Sequence, residues 1–297
     1  MNESLTSAVP QINLGTGNNS AKLSNSAFEN IRKLIYDSCG IYFQDNKKYL
    51  LESRLLKRIN HIGLNTFEEY NDYLKFNLKR EQEKKYLYEA ITINETFFFR
   101  NQPQLNALVS DIIPEIIDSR KAFGNQKLRI WSAASSSGEE AYSIAMIIND
   151  LVKPKYPLLQ TEIVGTDISS AVIERALSGI YKEYSVRNTP TYYLKKYFKI
   201  SDNNYEVIPE IKKMVTFKLL NLFDTPSISA MTNFDIIFCA NVLIYFDQQS
   251  KIKVISDIYN SLNKGGYLFI GYAETLHMVS RAFTVKSFPK TIGYKKE

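Results

Sequence analysis

The chain has 297 residues, a net charge of +6 and 44% hydrophobic residues, which indicates about two globular domains and excludes a wholly disordered protein. Its two cysteines, Cys39 and Cys239, lie far apart, so a disulfide framework is excluded and no metal site is expected. The longest apolar stretch, residues 236–246, is too short to cross a bilayer, and the N-terminus lacks the features of a signal peptide. We therefore expect a cytoplasmic protein without membrane insertion. The basic balance fits a nucleic-acid partner, an acidic protein partner or no charged partner at all.

The first 91 residues divide into a polar tail and a helical region. Residues 1–24 are rich in Asn, Ser, Thr and Gly, which bury too little apolar surface to offset the cost of ordering, so they predict a disordered tail. Residues 25–91 carry apolar side chains at helical spacing, which predicts a small all-α domain. Its helices are expected to begin at a capping Ser26, at Asn46, after a capping box of Thr66 and Glu69, and at Glu81.

Residues 92–126 predict a linker followed by a connecting helix. The linker contains the run FFFR at residues 97–100, whose three rings cannot all be buried on one helix face. We expect it to pack back onto the following domain and to deliver Arg100 there. The connecting helix is expected to break at Pro114 and to close at Gly124.

Residues 127–297 predict an α/β domain. Short apolar strands alternate with helices, which is typical of a parallel sheet covered on both faces. Residues 180–214 interrupt the alternation and predict a small insertion. The strands are expected at residues 128–134, 161–166, 215–220, 234–240 and 267–272.

The carboxyl ends of the first two strands carry candidate binding residues, because ligands bind there in open α/β sheets. The turn SSSGEE at residues 135–140 allows close backbone approach but lacks the glycines of a dinucleotide site. Glu139 would suit a ligand with an ammonium group, although Glu139 and Glu140 would also favour the helix N-terminus through its dipole. Asp167 ends the second strand, where an acidic residue typically binds ribose hydroxyl groups. Together they point to a ribose-bearing cofactor.

The next two strand ends carry Asn221-Leu222 and Ala240-Asn241, with Tyr245 one turn further on. Each of these residues taken alone fits a turn or core packing. Their occurrence at consecutive strand ends favours a shared ligand pocket.

Five segments in order resemble the CheR-type chemotaxis receptor methyltransferases over residues 26–290. These segments are ITINETFFFR, IWSAASSSGEEAYSIAM, GTDISSAVIERALSGIY, FDIIFCANVLIYFD and LNKGGYLFIGYAET. The resemblance implies an α/β fold, namely a class I (Rossmann-like) methyltransferase sheet with a small N-terminal all-α domain and a small β insertion. It also implies methyl transfer from S-adenosylmethionine to glutamate side chains of chemoreceptors, with S-adenosylhomocysteine as the product and the receptor's cytoplasmic domain as the partner of a monomeric enzyme.

The resemblance further implies roles for individual residues. Arg100 and Tyr245 would lie at the methyl-transfer centre. Because a glutamate is already ionised at neutral pH, with a pKa of about 4.3, Arg100 and Tyr245 could hold it without a general base. The cofactor would contact Asn94, Thr96, Arg100, Glu139, Asp167, Asn221, Leu222, Ala240 and Asn241.

Two departures from the family pattern affect these expectations. Family members commonly have Arg where this chain has Ala240, so one contact at the pocket edge is lost. The turn at residues 199–206 in the insertion is shorter and lacks the glycines of members that dock a receptor's C-terminal pentapeptide. The shorter turn predicts an enzyme that acts without this tether.

The helix expected from Asn46 carries a basic stripe. Lys47, Arg54 and Arg58 fall within one arc at about 100° per residue. A solvated helix face explains such a stripe, and so does contact with the acidic methylation region of a receptor, which the family's helical domain makes.

Two other functions remain compatible with parts of the sequence. The loss of Arg at Ala240 fits a non-catalytic, cofactor-sensing module that acts by protein contact. The basic charge fits a nucleic-acid methyltransferase, but the stripe is short, aromatic residues do not alternate with it, and no Asn/Asp-Pro-Pro-aromatic motif is present.

Overall fold

The computed structural model describes residues 21–120 and 127–297. Within those ranges no helix is both long and apolar enough to pass through a lipid bilayer. The tail expected at residues 1–24 lies mostly outside them, as does Gly124. Leu23 is buried and Ser24 caps the first helix, so the expectation of disorder is wrong for these two residues.

The N-terminal part is helical, as expected. Ser24 rather than Ser26 accepts the N–H of Ala27, so the first helix begins earlier than predicted. Thr66 accepts the N–H of Glu69, which confirms the predicted cap. The helices described here are α1 (Asn25–Cys39), α2 (Lys48–His61, entered through a 3₁₀ turn at Asp45–Lys47), α3 (Phe67–Phe76) and α4 (Arg80–Ile91).

The connecting helix passes through Pro114 instead of breaking there. Its parts are α5 (Gln102–Ala107), a π-helical turn (Leu108–Ile112) and α6 (Ile113–Arg120). The wide π turn lies directly before Pro114, whose ring nitrogen has no hydrogen to donate, and it shifts the hydrogen-bond register at that point. The proline is thereby accommodated within the helix.

The described residues of the α/β domain form a sheet of seven strands. The strands are β1 (Lys127–Ala133), β2 (Gln160–Asp167), β6 (Val215–Leu219), β7 (Phe234–Cys239), β8 (Leu262–Ile270), β9 (Phe283–Phe288) and β10 (Thr291–Lys296). Their order in the sheet is β6-β2-β1-β7-β8-β10-β9. The first five in this order are parallel, and the C-terminal hairpin adds two antiparallel strands that the sequence reasoning did not predict. The helices between them are α7 (Glu139–Ile147, continued by a π turn at Ile148–Val152), α8 (Ser170–Ser178), α12 (Thr225–Ser229) and α13 (Gln248–Ser261).

The insertion is a small subdomain. It contains a sheet of three described strands in the order β3-β5-β4. Its hairpin turns at Asp202-Asn203, where both residues have positive φ angles of 47° and 59°, as in a type I′ turn. Its elements are β3 (Ile180–Tyr181), α9 (Glu183–Val186), α10 (Thr191–Tyr197), β4 (Phe198–Ser201), β5 (Asn204–Val207) and α11 (Pro209–Lys212).

The helical domain packs directly on the loops that follow β6 and β7. Gly40 ends α1 with a φ of +72°, and a Cβ there would lie 2.5 Å from the ring of Phe223, so only glycine fits. Beyond Gly40 the chain extends, Ile41 bridges to Phe246, and the N–H of Tyr42 donates to the carbonyl of Tyr245 at 3.0 Å. The helical domain therefore helps to fix the backbone of Tyr245.

Candidate active site

A cleft with about 1080 Å³ of empty space, part of it open to solvent, lies at the carboxyl ends of β1, β2, β6 and β7. The sheet forms its floor, and the linker after α4 and the end of α1 form its walls. This is the position where open parallel sheets bind ligands. The following predicted residues line it: Asn94, Thr96, Arg100, Asp167, Asn221, Leu222, Ala240, Asn241 and Tyr245.

The aromatic run of the linker anchors Arg100 at the cleft. Phe98 is fully buried and packs edge-on against Tyr181 of the insertion, with ring centroids 4.8 Å apart. Phe99 has a left-handed backbone (φ 58°), and its N–H donates to the hydroxyl of Ser143 in α7 at 3.0 Å. With the ring of Phe98 and the backbone of Phe99 fixed, the next residue, Arg100, is held at the cleft wall.

Asp167 organises the turn after β1. Its carboxylate accepts the N–H of Ser136 at 2.9 Å and that of Ser169 at 3.0 Å. Burial raises the pKa of Asp167, and these amide hydrogen bonds oppose the rise. The neighbouring Ser135 also lines the cleft, and its hydroxyl is buried without a hydrogen-bond partner among the described residues. The turn thus places the carboxylate of Asp167 at the cleft, with a buried, unpartnered hydroxyl in the same turn.

Glu140, and not Glu139, faces the cleft. The carboxylate of Glu139 is buried away from it and accepts the hydroxyls of Ser137 at 2.8 Å and Ser185 at 2.9 Å. The geometry therefore does not support the assignment of Glu139 to a ligand. Successive residues of a helix are rotated by about 100°, so Glu140 points into the cleft while Glu139 points away from it. Glu140 accepts the hydroxyl of Ser132 at 2.7 Å, and burial raises its pKa to about 7.

The loops after β6 and β7 form the opposite wall. The side chain of Asn221 is occupied by the protein itself: it donates to the carbonyl of Ser38 in α1 at 2.7 Å and accepts the N–H of Phe223. Asn221 therefore lines the cleft beside Leu222, and its side chain links the α/β domain to the helical domain. Asn241 has a left-handed backbone with a φ of 62°, next to the small Ala240.

Tyr245 and Arg100 come together at the linker side of the cleft. The phenol of Tyr245 lies 3.4 Å from the carbonyl of Ile93. Burial raises the pKa of Tyr245, while the positive charges of Arg54 and Arg100 nearby lower it. A guanidinium and a neutral phenol therefore face the same space, which suits an anionic substrate group.

The three residues of the predicted basic stripe have different surroundings in the structure. The guanidinium of Arg58 donates two hydrogen bonds to the buried carboxylate of Glu83, each 2.6 Å long, so the expectation that it faces a partner is wrong. The guanidinium of Arg54 donates to the carbonyl of Ile91, and its charge is close enough to affect Tyr245. Lys47 is exposed in the 3₁₀ turn before α2.

Sequence reasoning missed Glu140 and Ser135 as cleft residues. Both lie in the turn it had singled out, so the signal was present, but the phase of the helix decides which side chain points inward. It also gave no role to Glu274, whose carboxylate accepts hydrogen bonds from backbone N–H groups of the loop before Tyr245. A carboxylate in a loop carries no periodic pattern that would reveal such a contact.

Comparisons with known proteins agree with this architecture. The profile of the CheR methyltransferase all-alpha domain matches residues 26–92, and that of the CheR methyltransferase SAM binding domain matches residues 94–292. Chemotaxis protein methyltransferase 2 of Vibrio cholerae serotype O1 is 36% identical over 279 residues, covering 94% of this chain and 95% of that protein.

Two further relatives have the same identity over a somewhat smaller share of the chain. The chemotaxis protein methyltransferase of Borreliella burgdorferi is 36% identical over 82% of this chain and 86% of its own. Chemotaxis protein methyltransferase 1 of Pseudomonas aeruginosa is 36% identical over 86% of this chain and 92% of its own. The chain therefore belongs to the CheR methyltransferase family and is an S-adenosylmethionine-dependent methyltransferase.

Proposed function

We propose that this protein transfers the methyl group of S-adenosylmethionine to glutamate side chains in the cytoplasmic domain of a chemotaxis receptor, giving methyl esters. The observation that carries the proposal is that Arg100 and Tyr245 line the same cleft, close enough for the charge of Arg100 to lower the pKa of Tyr245. A forked cation and a phenol together recognise a carboxylate. The names of the relatives, which are chemotaxis protein methyltransferases, support the same assignment.

The residues of the cleft fit the cofactor. Asp167 keeps acceptor capacity for ribose hydroxyl groups after binding two backbone amides, and the unpartnered hydroxyl of Ser135 lies beside it. Glu140 offers a carboxylate to the ammonium of the methionine part, in place of the expected Glu139. Asn94, Thr96, Asn221, Leu222, Ala240 and Asn241 complete the proposed binding set.

The bound cofactor supplies an electrophilic methyl group on its sulfonium. The protein's part is to bind and orient the acceptor. A glutamate carboxylate is ionised at neutral pH, with a pKa of about 4.3, so no residue has to remove a proton from it. Arg100 holds the carboxylate in a forked pair, Tyr245 donates a hydrogen bond to it, and the linker keeps both groups in place.

The product distinguishes this reaction from its alternatives. Radiolabelled S-adenosylmethionine is incubated with the protein and receptor-containing membranes, and the product is treated with base. We expect the label to be released as volatile methanol, because esters hydrolyse in base and N-methyl groups do not. Base-stable label would contradict the ester, and no transfer to any receptor would favour the non-catalytic, cofactor-sensing module. Arg100→Ala serves as the inactive control.

We further propose that the enzyme acts without a receptor C-terminal pentapeptide tether. The β4–β5 hairpin closes with only two residues, Asp202 and Asn203. This tight turn leaves little loop for an added peptide, and it lacks the glycines of tether-binding members. We expect calorimetry with the tether peptide to show no binding, and micromolar or tighter binding would contradict the proposal.

Glu140 gives the cofactor affinity a predictable pH dependence. With a pKa of about 7, its carboxyl is half protonated in the free protein at neutral pH, whereas an ammonium group binds only the ionised form. We therefore expect the Kd for S-adenosylmethionine to rise by roughly tenfold from pH 8 to pH 6, measured by calorimetry. Glu140→Gln should remove this dependence, and an unchanged pH profile in that variant would contradict the assignment.

The same raised pKa has an opposite effect on the stability of the protein without cofactor. The folded state holds the Glu140 proton more tightly than the unfolded state, where the pKa is about 4.5. The contribution of Glu140 to the free energy of unfolding is therefore fully present below pH 4.5 and is lost as the pH rises through 7. Glu140→Gln should flatten this part of the unfolding profile.

Arg54 is the part of the basic helix that we propose for receptor contact, together with the exposed Lys47. Because Arg58 is held by Glu83, replacing it would disturb the domain and report nothing about the receptor. We expect Arg54→Ala to lower kcat/KM for the receptor about tenfold, with a reduced salt dependence and unchanged cofactor affinity. Lys57→Ala, on an exposed side of the same helix, is the matched control, and equal turnover of the two variants would contradict the role.

A further inference from the structure

Glu274 joins the two loops that border the cleft. It lies in the loop after β8, and its Oε2 accepts the N–H of Asn241 at 2.9 Å and that of Gly271 at 2.6 Å. Its Oε1 accepts the N–H of Ile244 at 3.2 Å. One carboxylate thus binds backbone groups on both sides of the gap between the loops after β7 and β8.

The three N–H groups lie close to functional positions, although Glu274 itself is not on the cleft wall. Asn241 is the second residue after β7 and has a left-handed backbone. Ile244 lies in the 3₁₀ turn Leu243–Tyr245, and the first N–H groups of a helical turn have no partner within it. Glu274 therefore acts on the cleft through the backbone.

The backbone of Tyr245 is held from a second direction by the helical domain. Its carbonyl accepts the N–H of Tyr42, and the next residue, Phe246, bridges to Ile41. A short turn held at both ends leaves the phenol little freedom. Hydrogen bonds from N–H groups to a carboxylate are about twice as strong as neutral ones, so the Glu274 side supplies much of this restraint.

We propose that Glu274 is a positioning residue that sets the place of Tyr245 at the methyl-transfer centre. The expected effect on kcat rests on the proposed function. The restraint of the turn before Tyr245 does not, since the hydrogen bonds of Glu274 form without substrate.

Glu274→Gln separates the two halves of the contact. The amide side chain keeps one acceptor oxygen, which is expected to remain with the two close N–H groups of Asn241 and Gly271. Its NH₂ group then faces the N–H of Ile244, and two donors cannot pair. The variant should therefore release Tyr245 while leaving the cofactor side of the loop in place, whereas Glu274→Ala should release both.

The test combines amide hydrogen exchange, cofactor calorimetry and methyl-transfer kinetics. For Glu274→Gln we expect at least tenfold faster exchange at Ile244, a kcat at least tenfold lower, and a KM and cofactor Kd within threefold of the original protein. For Glu274→Ala we expect the cofactor Kd to rise as well. Glu69→Gln is the matched control, because Glu69 also accepts a backbone N–H, that of Asn65, in the distant helical domain.

A second variant disturbs the same contact from the backbone of the loop that carries Glu274. A Cβ at Gly271 would lie 2.7 Å from both the Glu274 Oε2 and the Asn241 Nδ2 and 2.8 Å from the backbone nitrogen of Asn241, so Gly271→Ala should displace both the carboxylate and Asn241. It should therefore lower kcat and raise the cofactor Kd, as Glu274→Ala does.

The outcomes are distinct. If Glu274→Gln and Gly271→Ala match Glu69→Gln in both exchange and kcat, the positioning role is wrong. If exchange at Ile244 rises and kcat does not fall, the contact exists but does not position Tyr245, and the proposal is again overturned. If the original protein methylates no receptor, the proposed function fails, while exchange at Ile244 in Glu274→Gln still decides whether Glu274 holds the turn before Tyr245.

Discussion

Arg100→Ala is expected to lower kcat/KM for receptor methylation by about 1000-fold, equivalent to roughly 4 kcal/mol of transition-state stabilisation. The guanidinium is the positive group that the linker places at the cleft beside Tyr245, and alanine leaves the substrate carboxylate without a forked partner. Arg100→Lys should be intermediate, at about 100-fold, because it keeps the charge and loses the planar fork. The measurement is methyl transfer under steady-state conditions at saturating cofactor.

A matched control separates this effect from a general loss of positive charge. Arg281 is exposed in the loop before β9, and Arg281→Ala should stay within twofold of the original protein. If Arg100→Ala keeps more than a tenth of the original kcat/KM, Arg100 does not bind the reacting carboxylate. A change confined to the cofactor Kd would instead assign Arg100 to the cofactor alone.

The location of the cleft could be predicted because the sheet imposes it. The alternation of strands and helices indicated a parallel sheet, and the carboxyl ends of parallel strands meet at one edge. Asp167 is the last residue of a strand, and Asn221 and Asn241 follow strand ends, so their convergence needed no knowledge of side-chain packing. The same logic could not place the C-terminal hairpin, since β9 is largely exposed and lacks an apolar run.

The features that could not be predicted depend on the exact register of a helix and on contacts between distant segments, neither of which can be read from the order of residues in the chain. Glu139 and Glu140 differ by one helical step, and only the register of α7 decides which one enters the cleft. Arg58 fits an exposed stripe by spacing, but its partner Glu83 comes from another helix, 25 residues later. Periodicity places a residue on one face of a helix, but it does not show which residues that face contacts.

The contribution of the helical domain to the cleft also follows from contacts between distant segments. Ser38 accepts the side chain of Asn221, and Tyr42 donates to Tyr245, so the domain proposed to meet the receptor also supports residues of the cleft. A receptor that moves α1 would change the position of Tyr245 as well. Binding and chemistry are therefore physically connected in this arrangement.

Asp167→Ala is expected to raise the Kd for S-adenosylmethionine by at least 100-fold. The carboxylate has two tasks: it fixes the turn through Ser136 and Ser169, and it offers its remaining lone pairs to ribose hydroxyl groups. Its removal leaves two buried N–H groups unpaired, at about 1–3 kcal/mol each, and deletes the ligand contact. Asp167→Asn keeps one acceptor oxygen, so it should show a smaller rise of about tenfold in Kd.

Loss of affinity must be distinguished from loss of fold, and Asp235 provides the comparison. It is also a buried aspartate that accepts a backbone N–H, that of Arg129 at 2.8 Å, but it does not line the cleft. Asp235→Asn should lower the melting temperature without changing the cofactor Kd, so cofactor should still stabilise it fully. If Asp167→Ala is stabilised by cofactor as much as Asp235→Asn, Asp167 serves the turn alone and the ribose is bound elsewhere.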